Sequence, residues 1–254
     1  MNPHRAFATT RHGKLHYQSA GDGKPLLLLH ATPRSSEAYG NLIPLLAASH
    51  RVIAPDTLGF GASDPLPAEA SIETLAASVV DLLDALAIDT AAVFGLHTGN
   101  KIAAAMAAGW PQRISALMLC GMSHSIILDE QRREAAIKAI LAAHPIDPDD
   151  VTDAAERRDR IRARDSVTTL YAANYAFDLA VAVSELSLPM LLVELATPQE
   201  AHLGPQAPGW VKHVPHCKTA VIERSDRDLL ERFPQELAAV ILRFLTGLEE
   251  RSHV

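Results

Sequence analysis

Short apolar runs closed by turn residues alternate along this chain with longer stretches of helical spacing. Leu26 to Leu29 forms one such run, ended by His30 and the turn-like Ala31-Thr32-Pro33. It is too short for a helix and predicts a buried strand. Arg51 to Asp56 predicts a second, ended by Gly59 and Gly61, and the stretch between them, Ser36 to Ser49, is mostly helical in pattern. Strand, helix and strand in this order have the period of a parallel crossover unit. The unit then repeats. Ser71 is placed to cap a helix whose apolar positions Ile72, Leu75, Val79, Leu82, Leu83 and Leu86 share one face. Ala91 to Phe94 predicts a strand, a tight turn Gly95-Leu96-His97-Thr98-Gly99 follows, and an alanine-rich helix ends at Gly109 and Pro111. Ile114 to Cys120 predicts one more strand.

From Gly121 to Leu188 the rhythm changes to helical stretches, broken at the Pro/Asp-rich 144–149 segment and carrying arginines 157, 158, 160, 162 and 164. Those arginines interleave with Asp153, Glu156, Asp159 and Asp165, which predicts a solvated face laced with ion pairs. Alternation resumes with strands at Met190 to Leu195 and Thr219 to Glu223, and an amphipathic helix beginning at Pro234 closes the chain. The expected organisation is one sheet domain in two parts, 1–122 and 189–254, interrupted by a helical cap at 123–188.

Composition narrows the function classes. The 254 residues are 48% hydrophobic and 21% charged, enough for a sizeable core and incompatible with disorder. A formal net charge of −7 gives no general attraction to nucleic acid or to an anionic membrane, so neither is expected as a partner. No apolar stretch approaches the roughly 20 residues a bilayer requires, and the amino terminus has no segment of signal-peptide type. Cys120 and Cys217 match no disulfide framework or metal spacing, which points to the cytoplasm. His202, His213 and His216 make no metal-binding pattern and the glycines around Gly95 make no phosphate loop, so no metal and no cofactor is expected.

A strand, a Gly-x-x-x-Gly turn and a helix force the central side chain of the turn out at the carboxyl edge of a parallel sheet. Here that residue is His97. With the His30-Ala31-Thr32-Pro33 loop before it and the segment Asp56-Thr57-Leu58-Gly59-Phe60-Gly61-Ala62-Ser63 between them, the chain resembles the α/β-hydrolase superfamily over nearly its whole length. The resemblance implies an α/β fold with a mostly parallel central sheet flanked by helices, a small helical cap, and a nucleophile at position 97. The family's usual serine is absent there. The loop after Leu195 reads Ala196-Thr197-Pro198-Gln199-Glu200-Ala201-His202 without the usual Asp, and Ser225-Asp226-Arg227-Asp228 stands where the usual histidine base would be. The ordinary serine mechanism is therefore not expected.

An imidazole, with a reference pKa of about 6.5, can exchange protons at neutral pH. Two readings of His97 stand side by side: general acid/base in a reaction at a carbonyl or enolisable carbon, or a residue that merely fills the turn of a silent binding protein. A lyase, cyclase or cofactor-free oxygenase on the same scaffold is a third reading. The resemblance implies oxyanion donors at the Thr32 and Thr98 N–H groups, and Glu194 or Glu200 as an acid that orients the imidazole. His30, Ser123, His124, Tyr171 and Tyr175 are candidates to line a small-molecule site. Loop bracing is the competing role for His30, as core packing is for the tyrosines. Oligomeric state is not readable from the pattern.

Overall fold

A computed structural model describes residues 3–121, 131, 135, 138, 153–196, 205 and 207–252, with backbone alone at 226–228 and 252. Eight strands form one sheet: β1 (His4–Thr10), β2 (Gly13–Ala20), β3 (Lys24–Leu29), β4 (His50–Pro55), β5 (Ala91–Leu96), β6 (Ile114–Cys120), β7 (Met190–Leu195) and β8 (Cys217–Ile222). Their order across the sheet is β1-β2-β4-β3-β5-β6-β7-β8. The pairs β1–β2 and β2–β4 are antiparallel and every later pair is parallel. The hairpin β1–β2 extends the predicted sheet at one edge; its strands mix exposed and buried positions, so no long apolar run marks them.

Because β3 to β7 are covered on both faces, their residues read as continuous apolar runs rather than alternating ones. Leu26, Leu27, Leu28 and Leu29 are all fully buried, each worth about 2 kcal/mol over an exposed side chain. Odd and even positions enter different cores. Leu27, Leu29 and Val93 pack with α2 (Ile72–Ala85) and α3 (Thr98–Gly109) on one face. Leu26, Leu28 and Phe94 pack with α1 (Ile43–Leu46) and the closing helix Pro234–Ser252 on the other. Ser71 caps α2, its Oγ accepting the Thr74 N–H at 3.1 Å. The predicted Ser36–Ser49 helix is instead two short pieces, a 3₁₀ turn at Ser36–Tyr39 and α1, divided at Gly40 to Leu42.

Between β6 and β7 the described residues form α4 (Ala154–Ala163), α5 (Val167–Ala176) and α6 (Leu179–Ser184). The expectation of a solvated, ion-paired face on α4 holds for Arg157, Arg158, Arg162 and Arg164, which are exposed, and is corrected for two of the acids. Glu156 and Asp159 are only 4% and 2% exposed, because α4 docks its acidic side onto the loop after β3. Asp159 accepts the Ser35 N–H at 3.0 Å and the Ser35 hydroxyl at 2.7 Å, while Arg34 pairs with Glu156 at 3.3 Å. Two further contacts fasten these helices: the buried Lys101 of α3 donates to the Asn174 carbonyl, and Ser166, before α5, lies against Gly59. Among the described residues, no helix is long and apolar enough to cross a membrane.

Candidate active site

Parallel strands β3, β5, β6 and β7 end side by side, and the candidate residues stand at their carboxyl ends. Leu29 is in register with Gly95, Leu96 with Cys120, and Cys120 with Val193. Between β5 and α3 the chain reverses at His97, which has φ 48° and ψ −107°, a conformation that L-residues rarely hold without surrounding constraint. The constraint is visible. The His97 N–H donates to the Cys120 carbonyl at 3.1 Å, and Asn100 clamps the same residue from both sides, its amide donating to Cys120 O at 2.8 Å and accepting from Cys120 N at 3.0 Å. Asn100 was not singled out from sequence. A polar residue in the first turn of an alanine-rich helix, on the side facing the sheet, is the mark it left.

Space at the turn admits only glycine at two neighbours. A Cβ on Gly99 would enter the Leu29 carbonyl, and one on Gly121, itself at φ +64°, would lie 2.8 Å from His97 Cε1. The imidazole thus rests on the bare backbone at the end of β6. It is neither sealed nor open, being partly exposed. Thr98 is the first residue of α3, so its N–H has no acceptor within the helix and lies at the positive end of the helix dipole. Thr32 belongs to the adjoining loop, and the close approach of Gly99 to the Leu29 and His30 carbonyls brings that loop against the turn.

His30 is 2% exposed and held at both ring nitrogens. Its Nε2 accepts the Thr57 N–H at 3.0 Å, which places the proton on Nδ1, 3.0 Å from the Ala31 carbonyl. Burial pushes its pKa down, against the pull of the Ala31 carbonyl, so it stays neutral. The ring ties the end of β3 to the end of β4. Asp56 completes the brace. It accepts His16 Nδ1 at 2.8 Å, the Ser36 N–H at 2.7 Å and the Ala62 N–H at 2.8 Å. Burial alone would raise this carboxyl, but those donors outweigh it and hold it at about 2.

Glu194, in β7, is buried and accepts the Ala207 N–H at 2.8 Å, holding the start of the helix Ala207–His213. Tyr171 and Tyr175 stack one helical turn apart on α5 with ring centroids 5.9 Å apart. Burial, with Tyr175 adding to it, pushes the Tyr171 phenol up to about 12, so that it remains a neutral hydroxyl. Ser123, His124 and Glu200 lie outside the described residues, as does His202. Among the described residues no group of three or more His, Cys, Asp and Glu side chains is placed to hold a metal ion.

These features coincide with a known family. Residues 24–158 match the model of the alpha/beta hydrolase fold, and the chain belongs to that family. It is similar to a 2-hydroxymuconate semialdehyde hydrolase of Pseudomonas sp. (strain CF600), with 40% identity over 106 residues that span 40% of this chain and 38% of that protein. It is similar also to an uncharacterized hydrolase of Saccharomyces cerevisiae, with 39% identity over 108 residues, 41% of this chain and 37% of that one. The matched stretches thus cover about two fifths of these relatives' length. Among solved structures, a hydrolase from Pseudomonas aeruginosa PA01 superposes with a TM-score of 0.76 at 22% identity, covering 95% of this chain and 98% of that one, a likeness of fold.

Proposed function

We propose that the protein is a cofactor-free, cytoplasmic enzyme that acts on a small, partly apolar carbonyl compound, an ester, lactone or enolisable ketone, with His97 as general acid/base in place of a nucleophilic serine. The observation that carries this reading is the conformation of His97 itself. A β-carbon-bearing residue held at φ 48° by Cys120, Asn100 and Gly121 costs roughly 1–3 kcal/mol of backbone strain, and such strain is characteristic of positions where a side chain must be presented. The 2-hydroxymuconate semialdehyde hydrolase, whose name specifies a small carbonyl substrate, supports the substrate class.

In this mechanism the imidazole takes a proton from water, and the hydroxide so formed attacks the substrate carbonyl carbon. The negative charge that develops on the carbonyl oxygen is received by the N–H groups of Thr98 and Thr32; each such donor is worth roughly 3 kcal/mol in a preorganised site. Collapse of the tetrahedral intermediate expels an alkoxide or enolate, which takes up the proton held by the imidazolium. Glu194, with Glu200 as the alternative, serves as the orienting carboxylate, and Tyr171 and Tyr175 on the cap, residues 123–188, bound the apolar side of the pocket.

The test is turnover of a panel of short-chain aryl esters and enol lactones by the wild type, His97→Ala and His97→Gln. Activity that falls by roughly 100-fold or more in both variants with unchanged thermal stability is the expected result. Equal activity in His97→Ala, or ligand-induced thermal stabilisation with no turnover of any substrate, overturns it, the latter in favour of a binding protein.

A further inference from the structure

The loop that carries Thr32 is gripped at its far end by two carboxylates from different parts of the molecule. Asp56, at the end of β4, takes the Ser36 N–H. Asp159, on α4 and 124 residues away in sequence, takes both the N–H and the hydroxyl of Ser35. Ser35 is three residues past Thr32, and the hydrogen bond from the Arg34 N–H to the Ala31 carbonyl at 2.8 Å closes the turn between them. Any shift of α4 is therefore transmitted to a short, hydrogen-bonded turn rather than absorbed by slack chain.

We propose that Asp159 is a positioning residue that latches α4 to the loop bearing Thr32, so that the seating of α4 and the placement of the Thr32 N–H change together, and that the latch loosens as Asp159 becomes ionised. The assignment of Thr32 as an oxyanion donor rests on the function proposed above; the latch itself does not.

The neutral carboxylic acid keeps both Ser35 contacts without placing a charge in the buried seat, its oxygens accepting the Ser35 N–H and hydroxyl. The carboxylate also accepts both Ser35 donors, but at the cost of keeping a charge away from water. Burial raises the Asp159 carboxyl to about 6, with Ser35 and Arg34 pulling it down and Glu37 and Asp56 pushing it up. On its own helix Glu156 engages Arg34 and Arg160. Asp56, held at about 2, stays ionised throughout this window. With α4 lifted, Asp159 would return to its ordinary value of 3.8. Docking therefore takes up a proton, and between pH 3.8 and about 6 the closed state loses roughly 100-fold of its advantage over the open one.

The experiment is hydrogen exchange by mass spectrometry on the full chain from pH 4.5 to 8, with rates corrected for intrinsic exchange. Peptides covering 154–163 and 31–39 are followed, and 91–96 of β5 serves as the internal reference. Protection of the first two should fall in parallel by tens-fold as pH rises through 6, the reference staying flat. Asp159→Asn keeps both hydrogen bonds without the charge, so its two peptides should stay protected up to pH 8 and lose the pH slope. Ser35→Ala should lower protection roughly tenfold at every pH while keeping the slope. A wild-type slope retained in Asp159→Asn overturns the proposal, as does independent exchange of the two peptides or pH-independent protection of α4. Should Asp159→Asn fail to fold, the wild-type profile and Ser35→Ala decide alone. No turnover is read, so failure of the proposed activity leaves this outcome intact.

Discussion

Asp56 and Asp159 hold adjacent residues of one loop and are equally buried, at 2% exposure each, yet one sits at about 2 and the other at about 6. The difference lies in the supply of donors and in the neighbouring charges, since Glu37 and Asp56 push Asp159 up. Asp56 receives three from three separate segments, His16 in β2, Ser36 and Ala62. Asp159 receives two, both from Ser35. With burial alike, hydrogen-bond partners and neighbouring charges together decide whether a carboxylate is welcome as an ion. Asp56 joins three segments beside the sheet edge, and Asp159 joins α4 to a single residue of the loop after β3.

The largest break of that contrast is Asp56→Ala. It strands the His16 ring and the Ser36 and Ala62 N–H groups, and should cost about 3–5 kcal/mol by urea unfolding, whereas Asp159→Ala should cost less at neutral pH, where the buried charge it removes works against docking. A pH series separates the two by sign. Asp56, depressed from 3.8 to about 2, contributes about 2 kcal/mol that is present above pH 3.8 and lost as pH falls through 2. Asp159, raised from 3.8 to about 6, contributes about 3 kcal/mol that is fully present below pH 3.8 and lost as pH rises through 6. Difference curves of stability against pH for Asp56→Asn and Asp159→Asn should therefore slope in opposite directions. The smallest effect expected is that of Asn100→Ala, about 1–3 kcal/mol in the same unfolding assay, since it leaves the Cys120 backbone groups short of partners at a site neither carboxylate touches.

The parallel part of the sheet was legible because strands buried on both faces must be apolar throughout, and the Gly95 to Gly99 turn because close backbone approach at Gly99 leaves no alternative to glycine. The β1–β2 hairpin escaped notice because an edge hairpin with one wet face needs no such run. The buried acids of α4 were misread for another reason. Periodicity reports which residues share a face of a helix, but what that face meets is decided by Ser35, 124 residues away, and in an arginine-rich segment a docked acid looks like a solvated one. At the site, His97 was visible as a residue at a bend. What pins it, Asn100 and Gly121, belongs to contacts across strands that no local pattern records.

The imidazole of His97 occupies room that exists only because position 121 lacks a side chain. Mutational trajectories at the two sites are thereby entangled. A smaller residue at 97, serine included, would open a void over β6 that an alanine at 121 could begin to fill, at the cost of its positive φ, while the reverse order of changes would pass through a steric dead end. Replacing the ring first is the accessible order, and a library randomised at both positions should show it as a missing quadrant.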